Sequence, residues 1–502
     1  MTATMTKSRT DATSAGDTHA KRWWILAVLG IAQLMVVLDA TVVNIALPTA
    51  QTDLAFSDSS RQWIVTAYSL AFGSLLLIGG RIADIVGRTR IFIIGMIGFA
   101  IASAVGGAAV NVGMLIAARA VQGVFAALLA PAILALLTTT FTEARERNKA
   151  FGIFGAIAGS GASIGLLLGG VLTEYANWRW TLFVNLIFAV IGVVGGLSLL
   201  QNEVSEHRPK LDVPGTILVS AGLFALVYGF SHAETDSWSS LITIGFLAAA
   251  GILLIAFVVT QMQVRHPLLP LRIVTDRNRG GAFLAMVLSA MGMFAVFLFL
   301  TYYLQASLKY SAVMSGVAFL PMTGVLVVVA GVGSTVLIPR VSPRILIPLG
   351  MLLGALSMYL LTNIGVDTAY VSHVLPALLV LGAGLGLVFA PAFSLATLGV
   401  NRDDAGVASA AVNTVQQVGG AVGTALLNTI AASALTSYFT SHPPASRTPA
   451  AVQAARAEAL VHSYVVPFWW ATAIFAFGAV VSALVLRSGV PDIDHENAAV
   501  VA

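Results

Sequence analysis

The chain has 502 residues, of which 58% are hydrophobic and only 10% charged, with a mean hydropathy of +0.91. Soluble domains carry about a quarter of charged residues, so this composition excludes a soluble globular protein. The net charge of +4 is scattered through loops, which argues against a nucleic-acid partner. With no cysteine, disulfides, iron–sulfur clusters and thiol chemistry are excluded.

Residues 1–22 are mostly small and polar and predict a disordered cytoplasmic tail. The first apolar run is too long for a signal peptide and has no convincing cleavage site. Apolar runs long enough to cross a bilayer, about 20 residues each, then recur to the end of the chain. They fall at 23–48, 62–82, 91–110, 112–139, 149–172, 180–200, 213–232, 240–262, 281–305, 313–338, 344–363, 371–398, 405–436 and 465–487. Unbroken runs predict helices rather than a closed barrel. The fold class expected is an all-α polytopic membrane protein with 14 transmembrane helices.

An even number of spans puts both termini on one side. If that side is cytoplasmic, twenty of the 26 Lys and Arg residues lie there. Five lie outside (Arg61, Arg179, Lys309, Arg447 and Arg456), and Arg119 lies within a span. Positive loops stay inside, so both termini are expected in the cytoplasm and the protein in the cytoplasmic (inner) membrane. In the largest outer loop, 437–464, Thr448-Pro449 predicts the start of a short surface helix before the last span.

Ala130-Pro131-Ala132 in the fourth span recurs 260 positions later as Ala390-Pro391-Ala392 in the twelfth. At the same offset Glu143 meets Asp403, and Gly159 meets Gly419. This repeat predicts two six-helix bundles, 23–200 and 281–487, separated by two inserted helices and linkers over 201–280, with a cytoplasmic tail at 488–502. Duplicated bundles are a transporter architecture, with substrate held between the halves.

In the stretch LDATVVNIALP (38–48), Asp39 is the one acidic residue well inside a span. A carboxylate at the bilayer centre costs about 3 kcal/mol. At 1.5 Å per residue, Asp39 lies roughly 16 Å below the outer end of its helix, and Arg119 of the fourth span roughly 12 Å deep. Opposite charges at similar depth predict a pair in which each offsets the other's desolvation. Such a pair is either a structural brace or a functional site. Intramembrane carboxylates are usually functional, as proton carriers or ligand counter-ions, so a functional role is expected for Asp39.

Gln122 follows Arg119 by one turn on the same helix face, and Gln33 and Asn44 flank Asp39. Gln305 ends the ninth span, while Asn413, Gln416 and Gln417 lie in the middle of the thirteenth. These are candidates for a substrate cavity, and equally for hydrogen bonds between helices. Tyr302 and Tyr303 are expected in the outer aromatic belt. The fifth span carries Gly155, Gly159, Gly161, Gly165 and Gly169. Small residues four apart permit close helix approach, which suits static packing and a rocking surface alike. No histidine cluster has metal-ligand spacing, so neither a metal nor a cofactor is expected.

Five stretches in this order resemble the major facilitator superfamily, in particular its fourteen-helix branch of drug:proton antiporters. LDATVVNIALP is similar to the first-helix motif of that branch, and GGRIADIVGRTR (79–90) to the superfamily's loop motif. LIAARAVQGVFAA (115–127) resembles its fourth-helix motif, GAIAGSGASIGLLLGG (155–170) its antiporter motif, and NWRWTLFVN (177–185) also matches the branch. The resemblance covers the chain after the tail and implies alternating access. Asp39 and Arg119 would couple to protons, and Gly80, Asp84, Gly87, Arg88 and Arg90 would belong to the cytoplasmic gate. Two positions depart from the pattern. Leu166 replaces the proline of the antiporter motif, so its kink is expected to be missing, and Ile85 replaces a basic residue of the gate.

The function expected is proton-coupled export of an amphipathic drug or antibiotic, with the proton gradient as energy source and a monomer as the working unit. Export of an endogenous metabolite, lipid or siderophore is the alternative within transport, and a membrane sensor or scaffold the alternative outside it. No nucleophile–base pair or phosphate loop points to an enzyme. The second bundle has no intramembrane carboxylate, which disfavours divalent cations as substrates.

Overall fold

The computed structural model describes residues 3–56, 58–200, 211–235, 237–400, 404–444, 446 and 448–489, without the side chains of 3–20 and of a few helical residues, Asn44 among them. The tail beyond 489, the linker 201–210 and Asp403 lie outside the described residues. The described residues form fifteen α-helices and four short π-helical turns, with no strand among them. In the first half these are α1 (Ala3–Leu54), α2 (Asp58–Val86), α3 (Arg88–Gly107), α4 (Val112–Thr140), α5 (Ala144–Tyr175) and α6 (Trp180–Leu199). The inserted pair is α7 (Val213–Thr235) and α8 (Leu241–Gln263), followed by the short α9 (Leu271–Thr275). The second half is α10 (Arg277–Ala295), α11 (Ala312–Val332), α12 (Pro343–Leu361), α13 (Leu375–Thr397), α14 (Ala405–Ser441) and α15 (Pro449–Val485).

Thirteen described helices are long and apolar enough to cross a membrane, and α5, bent by 45° between Gly161 and Ser163, makes the fourteenth. Two expectations change. The helix of the first span extends back over residues 3–22, where the composition predicts disorder, so that α1 begins at Ala3. The short helix expected before the last span is continuous with it in the 37-residue α15, which runs through Pro467. Neighbouring helices can accommodate the backbone group that a proline frees within a span.

Within the first half α2 packs on α4, α3 on α4 and α6, and α1 on α5 and α6. Within the second, α10 packs on α14 and α15, and α12 on α13 and α15. The halves meet along two seams. One sets α5 against α11 and α13; the other sets α2 and α4 against α14, and α7 lies over both α2 and α14. Helix ends are capped by their own sequence. Asn111 accepts a hydrogen bond from the Met114 N–H at 2.9 Å, and Asp276 one from the Arg279 N–H at 3.0 Å. At the other end of a helix, Arg277 donates to the Leu484 and Val485 carbonyls and Arg344 to that of Ala483, which caps α15 with positive charge.

Candidate functional site

Asp39 sits on α1 and Arg119 on α4, 0% and 2% exposed. Arg119 Nη1 lies 2.5 Å from Asp39 Oδ2 and also donates to Gln122 Oε1 at 2.8 Å. The second carboxylate oxygen accepts from Gln122 Nε2 at 3.1 Å and from Asn185 Nδ2, on α6, at 2.8 Å. Those two amides also donate to Ser103 Oγ on α3, at 3.0 and 2.9 Å, and Ser103 donates to the Leu182 carbonyl at 2.8 Å. The Tyr68 ring of α2 faces the guanidinium, 4.2 Å from its carbon. Five helices thus enclose one charge pair.

Among the described residues the hydrogen bonds to the Asp39 carboxylate come from three N–H donors, the shell of an anion. A proton can be seated on Asp39 only where one of these donors has turned away. Arg119 Nε, Asn185 Oδ1 and the Tyr68 hydroxyl are buried without a partner, so the network has unused polar atoms with which to rearrange. In this conformation the pair is shut and screened from both sides of the membrane.

The expected cavity residues do not gather. Gln122 is fully buried in the charge network rather than on a cavity wall, because its one-turn offset from Arg119 aims both at Asp39. Gln33 is buried with its carbonyl oxygen unpartnered, and the side chain of Asn44 lies outside the described residues. Asn413 donates to its own helix at the Ser409 carbonyl, 2.9 Å away. Gln416 and Gln417 are half-buried on α14, and Gln305 is exposed on the π-helical turn Tyr303–Ser307. Tyr303, expected in the aromatic belt, is wholly buried, and its hydroxyl donates to the Gly365 carbonyl at 2.8 Å. Its neighbour Tyr302 is exposed, as adjacent helical residues point about 100° apart.

The glycines of α5 divide between two faces. A Cβ on Gly155 would meet the Ala390 backbone of α13 at 3.2 Å, and one on Gly159 would meet Leu326 of α11 at 2.6 Å. A Cβ on Gly161 would fall 2.6 Å from Val37 of α1, one on Gly169 3.1 Å from the Val42 carbonyl, and one on Gly165 would collide with Thr41 Oγ1. The first pair therefore packs on the other half and the second set grips α1 on both sides of Asp39. The change of face coincides with the 45° bend. The kink expected to be lost with Leu166 is thus present earlier in the helix, where Gly161 and Ser163 weaken it.

At the α2–α3 end the halves are pinned by charge. Asp84 accepts from Arg88 Nη2 at 2.9 Å and from the Gly406 N–H, in the first turn of α14, at 3.1 Å. A carboxylate at a helix N-terminus also meets the positive end of its dipole. Gly87 holds φ 110°, a turn that a side chain would strain. A Cβ on Gly80 would lie 2.7 Å from that of Ala410, so α2 and α14 touch. Arg90 is exposed. Arg147 on α5 adds a cross-half hydrogen bond to Thr397 Oγ1 at 2.7 Å. Arg81, passed over in the sequence as one more cytoplasmic arginine, is buried and faces Asp404 at 3.9 Å.

Other residues also escaped the sequence reading. Asn185 and Ser103 are short polar residues that look like interhelical glue, although Asn185 closes the quoted stretch NWRWTLFVN. Its Trp178 and Arg179 clasp the end of the first bundle where α1 and α3 finish. Trp178 donates to Asp53 at 2.9 Å, and Arg179 to the Gly107 and Ala109 carbonyls at 3.0 and 2.6 Å. Among the described residues no group of three His, Cys, Asp or Glu is placed to hold a metal.

A two-bundle, fourteen-span helical protein with a charge network enclosed in its first bundle has the architecture of a secondary transporter. Residues 29–424 match the model of the Major Facilitator Superfamily. The chain is 47% identical to the puromycin resistance protein pur8 of Streptomyces alboniger, over 95% of this chain and 94% of that protein. It is 38% identical to the cephamycin export protein CmcT of Amycolatopsis lactamdurans, over 86% and 89% of the two chains. The crystal structure of the human organic anion transporter MFSD10 superposes with a TM-score of 0.60 at 13% identity, over 92% of this chain and 99% of that one. The chain belongs to the major facilitator superfamily.

Proposed function

We propose that the protein exports amphipathic antibiotics from the cytoplasm in exchange for protons, as a monomer in the cytoplasmic membrane with both termini inside. The observation that carries the reading is a fully buried carboxylate held by three donors from two other helices. An ion pair needed only for packing would be replaceable, as a pair, by apolar side chains at little cost. Two relatives, named for puromycin resistance and cephamycin export, supply the substrate class. In this mechanism Asp39 takes a proton from outside when Arg119 swings away, and releases it inward when the pair re-forms. Glycines on opposite faces of α5 tie that exchange to the seam between the halves. One pH unit supplies about 1.4 kcal/mol per proton, and 100 mV adds about 2.3 kcal/mol per charge moved.

The test is puromycin-dependent proton release from everted vesicles, with cephamycin as a second substrate. Release is expected from the natural protein and not from Asp39→Asn. Undiminished coupled transport by Asp39→Asn would refute the role of Asp39, and no flux of either antibiotic in a pH gradient would refute the export reading.

A further inference from the structure

The segment between α8 and α10 makes contacts that the export mechanism leaves unused. Asp212, just before α7, is buried and accepts from the Gly215 N–H at 2.9 Å, Gln261 Nε2 at 2.7 Å and the Leu268 N–H at 3.4 Å. Gln261 in turn accepts from the Leu269 N–H at 3.0 Å. The ends of α7 and α8 and the start of the connecting segment are thereby stapled together. From that segment the Pro267 carbonyl accepts from Arg81 Nη2 on α2 at 3.3 Å, and Arg272 on α9 pairs with Asp404. Asp404 is the residue before α14 in the second half, and Arg81 faces its other oxygen. One carboxylate therefore joins α2, α9 and α14, the first half, the inserted segment and the second half.

We propose that residues 264–276 form a latch on the cytoplasmic end of the interface, that the inserted pair α7–α8 is its strut, and that Asp404 is its catch. This rests on the alternating-access reading above and assigns the inserted helices a part in it. Opening the cytoplasmic end moves α2 away from α14, which must separate Asp404 from Arg81 or from Arg272. The Asp212–Gln261 staple keeps the segment from following either half. Arg81, Arg272, Asp404 and Asp212 are positioning residues and touch no substrate.

The chain has no cysteine, so Ala410→Cys, wholly buried against Gly80 at this seam, provides a single reporter thiol. Everted vesicles carrying the full chain are treated with a charged maleimide and the labelling rate is followed. With Asp404→Asn or Arg272→Gln added, labelling is expected to accelerate about fivefold or more, the scale of an ordinary coupling between sites. Arg272→Lys keeps a cation on the catch and is expected to label at the parental rate, while Asp212→Ala cuts the strut and accelerates labelling. Melting temperatures of Asp404→Asn and Arg272→Gln are expected to match the parent, which separates a moved equilibrium from a damaged fold. Parental labelling in Asp404→Asn and Arg272→Gln, or equal labelling in Arg272→Gln and Arg272→Lys, would overturn the latch. Labelling that responds as expected in a protein that moves no antibiotic would support the latch and overturn export.

Discussion

Gly165 of α5 lies so close to Thr41 of α1 that a Cβ on the glycine would collide with the threonine hydroxyl, two residues from Asp39. The hydroxyl is itself held in place, donating to the Leu38 carbonyl at 3.0 Å. Gly165→Val must therefore push α1 away from α5 at the depth of the charge pair. Overpacking of this kind costs about 1–3 kcal/mol. A lower melting temperature in detergent is expected, with loss of antibiotic export larger than the loss of folded protein. Gly165→Ala is expected to fall between. Export unaffected in Gly165→Val would show that the approach is not needed.

The pair itself gives a second expectation. Arg119→Gln leaves Asp39 buried with its two amide donors and no cation, and breaking a buried pair on one side costs about 3–5 kcal/mol. Asp39→Asn strands Arg119 in the same way. The double variant removes both charges and is expected to be more stable than the sum of the single losses predicts. A double-mutant cycle on thermal or denaturant unfolding in detergent measures this. Additive losses would mean that the two charges do not interact.

Asn185 donates both to Asp39 and to Ser103. Asn185→Ala leaves two acceptors of the network each short of one donor. Loss of a buried hydrogen-bond partner costs about 1–3 kcal/mol, and on the proposed mechanism, in which Asp39 exchanges these partners on taking a proton, the larger share is expected in export rate. Ser103→Ala is expected to be milder, because Asp39 keeps all three donors. Initial export rates normalised to folded protein compare the two.

At the other end of the molecule, Gly406→Ala would set a methyl 2.6 Å from both oxygens of Asp84. Asp84 or the first turn of α14 has to move, and the 3.1 Å bond from the Gly406 N–H is lost. The α2–α14 end is expected to close poorly, seen as faster labelling of a cysteine at Ala410 and a reduced export rate. Labelling as slow as in the parent would show that this contact does not hold the end shut.

The membrane fold and the identity of the central pair were legible in the sequence because both are matters of solvation. Apolar runs of span length have one stable environment, and a lone aspartate and a lone arginine among them have few ways to offset their burial other than each other. The loop motif was legible because Gly87 and Asp84 are demanded by a backbone turn and a helix end. The one-turn offset set Gln122 on the face of Arg119, but tertiary structure decided which other neutral polar residues join the pair. Asn185 and Ser103 differ from Gln33, Gln416 and Gln417 only in the direction they face once five helices have packed. Crossing geometry decided which neighbours the glycines of α5 meet, although the two-residue step between Gly159 and Gly161, amid four-residue steps, already turns the second set to another face. Arg81 and Asp404 lie 323 positions apart and acquire a shared role only where the connection after α8 comes between them. A sequence records the cost of burying each side chain, but the partner that offsets it is chosen by packing.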